Sequence, residues 1–265
     1  MSLGVSLGLH DCLVPDWPAP TGVRALITTR AGGVSSGSLT GLNLGRSVGD
    51  EPAAVDENRR RVRQLIGAAP RWMSQVHGVD VARLDDLPEE TPLAADAAVS
   101  TTSGTVCTVM MADCLNVLFC NTSGTAVAAA HAGWRGLADG VLEATVAAMR
   151  TAPQEILAYM GPAIGSGAFE VGNDLRDIFL SKALPAEREA VEAAFVARPD
   201  LASSKCLADI YALATVRLSR AGIGAQRVFG GGLCTYADSA RFFSYRRSSH
   251  AGEKSGRMAA MIWLE

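Results

Sequence analysis

The sequence is poor in histidine and cysteine and has no long apolar run, and each scarcity excludes something. Only four histidines occur in the 265 residues, His10, His77, His131 and His250, so any histidine-dependent chemistry must draw on these. Six cysteines (Cys12, Cys107, Cys114, Cys120, Cys206 and Cys234) include no CxxC pair. Neither a disulfide scaffold nor a zinc ribbon is indicated, and most are expected to be reduced core residues. No stretch approaches the roughly 18 consecutive apolar residues needed to span a bilayer. The first residues lack a basic segment followed by a long apolar one, so a cytoplasmic location is expected. A net charge of -3 without a lysine-rich run leaves no electrostatic footprint for nucleic acid or an anionic membrane. Small-molecule partners are expected, handled by a monomer or homodimer.

What is present is a globular composition, 48% hydrophobic and 19% charged, in a chain long enough to bury one large core. Runs rich in β-formers at Arg24–Thr29, Val106–Met111 and Thr125–Ala130 alternate with helical patterns, which predicts a mixed α/β (α+β) fold. One helix is expected from Glu51 to Ile66, with Asp50 as N-cap, Pro52 in the first turn and Val55, Val62, Leu65 and Ile66 on one face. A second is expected from Leu137 to Met149, and a third from Leu207 to Ala221 with Gly222 just beyond its end. Glycine-rich connections lie at Ala31–Ser38, Gly161–Gly167 and Gly230–Gly232, and no linker divides the chain.

The chemistry-bearing residues gather at strand ends. His77, in Ser-Gln-Val-His-Gly, follows an apolar strand-like run. Cys114 follows Val-Met-Met-Ala-Asp, and His131 ends the run Ala126–Ala130. A hairpin around Asn121–Gly124 would return His131 toward Cys114. Two imidazoles and one thiolate suit zinc with a fourth position open. On residue pattern alone two other readings stand beside this one: a satisfied buried histidine, and a Cys114 nucleophile activated by a histidine.

Eight local strings narrow the choice. They are Thr28-Thr29-Arg30-Ala31-Gly32-Gly33-Val34-Ser35, Leu42-Asn43-Leu44-Gly45, Gln75-Val76-His77-Gly78, Ala112-Asp113-Cys114-Leu115, His131-Ala132-Gly133-Trp134-Arg135-Gly136, Gly161-Pro162-Ala163-Ile164-Gly165, Phe243-Ser244-Tyr245-Arg246-Arg247 and Gly256-Arg257-Met258-Ala259. In this order they resemble the YfiH family, also called the multicopper polyphenol oxidase or laccase-domain family, whose members are purine nucleoside phosphorylases. The resemblance implies an N-terminal extension over 1–22 and one catalytic domain over 23–265, a mixed α/β sandwich flanked by helices. It also implies zinc on His77, Cys114 and His131, phosphorolysis of adenosine, inosine and methylthioadenosine, and an association with adenosine deamination. The chain departs from the family pattern at Asn116, where proline is common, and at Ser166-Gly167-Ala168, where a cysteine often stands. The stretch Ser248–Ser255 is longer than the family's turn, which makes His250 a loop residue.

Roles for the remaining candidates follow from chemistry. Asp113 is either a proton shuttle for deamination, in which a metal activates water for attack on adenine, or the cap of a turn. Phosphate suits the planar fork of an arginine, with Arg59, Arg135, Arg246 and Arg247 as candidates. Asn43 is a further candidate for substrate contact, and the backbone N–H groups of Gly161–Gly165, with Gly161 and Gly165 at its ends, are candidates to cradle an anion or ribose. A multicopper oxidase needs a histidine-rich cluster beside its His₂Cys copper, and four histidines cannot furnish both. Copper nevertheless remains an alternative occupant of a single His77/Cys114/His131 site, with Met110 or Met111 nearby, and polyphenol oxidation an incidental activity.

Overall fold

The computed structural model describes residues 7–88, 91–199 and 202–265; the first six residues of the expected N-terminal extension lie outside them. Two sheets stack face to face. The five-stranded sheet runs in the order Cys12–Leu13, Val23–Thr28, Met258–Leu264, Val106–Met111, Pro70–Arg71. The six-stranded sheet runs Val228–Gly230, Ile156–Met160, Leu115–Asn121, Val127–Ala132, Ala97–Ser100, Val81–Arg83. Both are mixed: the six-stranded sheet has a parallel pair at each edge and the five-stranded sheet one, at Pro70–Arg71, and the other pairs are antiparallel. A small third sheet joins Glu170–Gly172, Lys205–Ala208 and Phe195–Val196.

Side-chain parity makes the layers. Along Leu115–Asn121, the residues Leu115, Val117 and Phe119 enter the core beneath the helices, whereas Leu118 and Cys120 enter the core between the sheets. On the neighbouring strand Ala128, Ala130 and Ala132 face the helices, and Val127 and Ala129 face the other sheet. His131 shares the parity of Val127 and Ala129. The fold therefore aims its imidazole toward the inter-sheet side, at the end of the strand where the sheets part. The outer face of the five-stranded sheet, through Leu26, Ala259 and Met261, packs under the helix Pro52–Ile66 by way of Val62.

That helix ends where its sequence predicts and begins one residue later, at Pro52: Pro52 occupies the first turn and Gly67, at φ 71°, closes it with an N–H to the Arg63 carbonyl. Its N-cap is Glu51, not Asp50. The Asp50 carboxylate instead takes bonds from Ser35 Oγ, the Asn43 amide and the Glu51 N–H. The expected helix from Leu137 to Met149 is two, Trp134–Asp139 and Val141–Ala148, because Gly140 between them adopts φ 106°. The third helix starts later than expected, at Ile210, capped by the Asp209 carboxylate on Tyr211 N and Ala212 N. The residues Lys205–Ala208 before it are a strand, drawn into pairing with Glu170–Gly172. Its end is as expected: Gly222 N–H reaches Ser219 O and Ile223 N–H reaches Leu218 O, the pair of hydrogen bonds of a Schellman end. No described helix is long and apolar enough to cross a membrane.

Candidate functional site

Three chain segments meet at the open end of the sandwich. The hairpin pairs Asn116 with His131 and Leu115 with Ala132, which places His131 across from the residue two positions after Cys114. Cys114 lies in the turn joining Val106–Met111 to Leu115–Asn121. Asp113 makes that turn in a left-handed conformation, φ 86°. A non-glycine residue holds this shape only when its surroundings demand it. Here Thr235 Oγ1 (2.6 Å), Ser244 Oγ (3.0 Å) and Arg246 N–H (2.6 Å) all donate to the Asp113 carboxylate, and Ile164 N–H donates to its carbonyl.

His77 does not end a strand. It sits in the loop after Pro70–Arg71 with φ 61°, a second left-handed non-glycine residue. The buried Asp96 carboxylate accepts the consecutive N–H groups of Val76 (3.1 Å), His77 (2.9 Å) and Gly78 (2.7 Å), so an anion nest shapes the loop. The same carboxylate contacts His131 Nδ1 at 2.9 Å.

The ligand atoms of His77, Cys114 and His131 all lie within 4.8 Å of one another. Cys114 Sγ is 3.8 Å from His77 Nε2, and the two imidazoles stand edge to face with centroids 4.8 Å apart. The space over them is kept clear by Gly133: a Cβ there would lie 2.8 Å from His77 Cδ2 and 3.1 Å from the sulfur. Burial alone would raise the Cys114 thiol, but the adjacent imidazoles, His131 foremost, bring it down to about 6. His131 is only 3% exposed; burial opposes its protonation, yet the sulfur's charge and the bond to Asp96 carry it up to about 9. Asp96 is held below the usual carboxylate range: burial works against this, and the His131 bond and the nest N–H groups prevail. Two imidazole nitrogens and a thiolate around an uncrowded space fit a borderline or soft transition metal, with three protein donors and room for a fourth ligand.

The three donors open into a cleft of about 1010 Å³. Five arginines line it, Arg46, Arg59, Arg135, Arg246 and Arg257, together with the aromatic residues Trp72, Trp134, Phe169 and Tyr245. The arginines lie on the rings: Arg59 over Trp72 at 4.1 Å, Arg135 over Trp134 at 4.3 Å, Arg246 near Phe169 and Arg257 near Tyr245 at 5.9 Å each. Backbone carbonyls orient most of them. Arg59 donates twice to Leu44 O, Arg246 to Glu170 O, and Arg257 to Ser255 O and Gly256 O. A carbonyl fixes a guanidinium without cancelling its charge. Burial, with Arg46 nearby, lowers Arg59 to about 10, so it stays protonated at neutral pH.

Of the residues singled out for substrate contact, Arg59, Arg135 and Arg246 line the cleft with the metal-competent triad. Asn43 does not. It is fully buried, both its amide hydrogens are used by Gly45 O and Asp50, and its oxygen accepts from Gly45 N and Arg257 N. It braces the wall and is not free to touch a ligand. Gly161 and Gly165 also lie behind the cleft, and their N–H groups are consumed by Asn116 O and Cys234 Sγ. The expected anion cradle is therefore absent at these two residues, and Gly161 is small because a Cβ would come within 2.0 Å of Asn116 Oδ1. Arg247 is spent on the carbonyls of Thr235, Tyr236 and Phe242. The three bonds on the Asp113 carboxylate, one on Oδ1 and two on Oδ2, fit the turn-capping role. His250 ends a short helix, Tyr245–His250, rather than a loop, and His10 lies beside Asp11; neither joins the triad.

Asp96 and Arg257 escaped sequence reasoning. Arg257 stood in one of the eight quoted strings, but Asp96, at the end of Ala94-Ala95-Asp96, has no local motif to mark it. Its partners lie 18 to 35 residues away.

Comparison with known proteins places this geometry among relatives. Residues 24–265 match the family model described as multi-copper polyphenol oxidoreductase laccase. A purine nucleoside phosphorylase of Pseudomonas aeruginosa is 52% identical over 257 residues, covering 97% of this chain and all of the relative. The purine nucleoside phosphorylase YfiH of Escherichia coli is 50% identical over 258 residues with the same coverage. Among solved structures, a Neisseria meningitidis protein superposes with a TM-score of 0.88 at 48% identity, covering 96% of this chain and 99% of that one.

Proposed function

Because the chain belongs to the multi-copper polyphenol oxidoreductase laccase family, and its curated relatives are named purine nucleoside phosphorylases, we propose that it cleaves purine nucleosides by phosphorolysis. The substrates we infer are adenosine, inosine and methylthioadenosine. The observation that carries this reading is a single cleft holding both the His77/Cys114/His131 donor set and four arginines, Arg59, Arg135, Arg246 and Arg257, whose guanidinium groups bond backbone carbonyls or lie on rings, while the fifth, Arg46, pairs with Asp56.

The chain's own residues divide the task. Inorganic phosphate is the nucleophile and needs paired donors; Arg135, which makes no hydrogen bond or ion pair among the described residues, is free to grip it, and Arg246 and Arg59 are pre-aimed beside it. The flat purine suits the rings of Trp72, Trp134, Phe169 and Tyr245, which offer stacking faces. Zinc is the occupant we propose for His77, Cys114 and His131, and it would supply a Lewis-acid charge at the cleft floor. Copper is the alternative ion. Three protein donors rather than four also favour a second reading, hydrolytic deamination of adenosine, since a catalytic zinc site keeps one position open. Laccase chemistry lacks residues: the other two histidines are elsewhere, and among the described residues no second donor cluster accompanies the triad.

Inosine separates the reactions, because it has no exocyclic amine to lose. Purified zinc-loaded protein given inosine and phosphate should release hypoxanthine and ribose 1-phosphate in amounts that rise with phosphate. A strong chelator should stop this and zinc restore it. Free ribose without phosphate dependence, or no inosine turnover, defeats the phosphorylase reading. Activity that survives chelation but not thiol alkylation points instead to a cysteine hydrolase built on Cys114.

A further inference from the structure

We propose that Asp96 is the positioning residue of the metal site, its single carboxylate fixing the ligating tautomer of His131 and the left-handed backbone of His77 together; this rests on the metal reading of the triad given above. Asp96 is fully buried and carries four bonds. Oδ1 meets His77 N–H and His131 Nδ1, each at 2.9 Å, and Oδ2 accepts Val76 N–H at 3.1 Å and Gly78 N–H at 2.7 Å. The backbone closes the same link, since His131 N–H donates to the Asp96 carbonyl at 2.7 Å.

An ionised carboxylate only accepts, so the His131 nitrogen facing it must carry the proton. In the neutral imidazole, the form that binds a metal, that leaves the lone pair on Nε2, the nitrogen that faces away from Asp96. The other three bonds hold Val76–Gly78 in the one conformation that brings the His77 ring to the sulfur, at 3.8 Å. Without them the left-handed φ of 61° at His77 has no support, because a residue with a Cβ relaxes out of that region. One side chain thus sets two of three ligands, one through its ring and one through its backbone, although the chain separates them by 54 residues.

Asn is the discriminating replacement because it keeps the shape and changes one acceptor into a donor. If the amide oxygen serves Val76 and Gly78, the NH₂ faces His131 and forces its proton to Nε2, the wrong nitrogen for ligation. If the oxygen serves His131 and His77, the NH₂ meets two N–H donors and the loop is released. Either way metal binding suffers while the core, which Asp96 does not enter, remains.

The test is zinc affinity by competition with a chelating dye, with the cobalt(II) spectrum as a second signal. Asp96→Asn should bind zinc about 10–100-fold more weakly, the scale of lost outer partners of metal ligands, and its cobalt thiolate band should shift, with far-UV dichroism unchanged. Equal zinc affinity and an unchanged cobalt band would overturn the proposal. Should the variant fail to fold, cadmium-113-loaded parent protein answers directly by NMR. Cadmium coupling to His131 Nε2 with the proton on Nδ1 supports the assignment, and coupling to Nδ1 overturns it. A parent that takes up neither zinc nor cobalt refutes the metal reading itself, an outcome distinct from a parent that binds metal as well as its Asp96 variant does.

Discussion

At the floor of the cleft, two buried carboxylates, Asp96 and Asp113, take four and three hydrogen bonds and force two non-glycine residues into left-handed backbone. Along the walls, Arg59, Arg246 and Arg257 are held by carbonyl oxygens and aromatic faces, and Arg135 by a ring alone. The floor uses negative charge internally to fix where three donors point. The walls conserve positive charge for something that arrives from outside. A metal-competent floor beneath arginines held mainly by carbonyls and rings suits the proposed reaction, whose second substrate is an anion.

The sharpest way to break this contrast is to remove the floor while keeping the walls. Cys114→Ala and His131→Ala should each lose more than ~100-fold in zinc affinity, beyond the 10–100-fold that outer partners contribute, and lose phosphorolysis with it. Elemental analysis of the purified variants checks this, with about one zinc per chain expected in the parent because three donors define one site. Stoichiometric zinc in both variants would show that the ion sits elsewhere.

The converse experiment removes one wall residue. Arg135→Ala should raise the KM for phosphate by roughly 10–150-fold, the equivalent of the ~1.5–3 kcal/mol of a charge-assisted hydrogen bond, with zinc content unchanged. Arg135 is exposed and makes no hydrogen bond or ion pair among the described residues, so its loss leaves no orphaned partner. Arg59→Ala is a poorer probe, for it also strips a ring contact from Trp72 and two hydrogen bonds from Leu44 O. A phosphate KM unmoved in both Arg135→Ala and Arg246→Ala would detach the walls from phosphate.

The two regions also differ in how far the sequence announced them. Hairpin geometry around Asn121–Gly124 and strand parity brought His131 back to Cys114 as expected, since both follow from local turn chemistry and a period of two. The arginines were legible by type, but not by role: nothing local distinguishes Arg246, aimed into the cleft, from Arg247, buried in carbonyl bonds. Glycines misled more than once. Gly140 broke one expected helix into two by its positive φ, and Gly161 proved small to admit Asn116 rather than to cradle an anion. Strand pairing with Glu170–Gly172 overrode the helical pattern at Leu207. Asp96 was invisible because its meaning lies in four long-range donors, none of them near it in the chain.

The smallest expected effect probes the floor's charge directly, in protein stripped of metal. The imidazoles bring the Cys114 thiol down to about 6 from an ordinary 9.0, so thiolate forms as pH rises through 6 and is lost as pH falls below it. At pH 7 this group is mostly ionised, whereas an unperturbed thiol is ~1% so. Nucleophilicity falls with the pKa, however, with a Brønsted slope of ~0.45, which returns most of the gain and leaves alkylation only about fourfold faster than at an ordinary thiol. The shape of the profile is therefore more telling than the rate: it should level off near pH 7, where an ordinary thiol is still rising steeply. The chain carries its own controls, since burial pushes Cys12 and Cys120 up to about 12 and raises Cys107 and Cys206 as well. Iodoacetamide labelling from pH 5 to 9, read peptide by peptide, should give an inflection near 6 at Cys114 alone among these five. In His131→Ala that inflection should move upward, because the largest favourable charge on the sulfur is gone. An inflection near 9 in the parent would mean that the imidazoles do not hold the thiolate, and the floor would lose its electrostatic distinction from the walls.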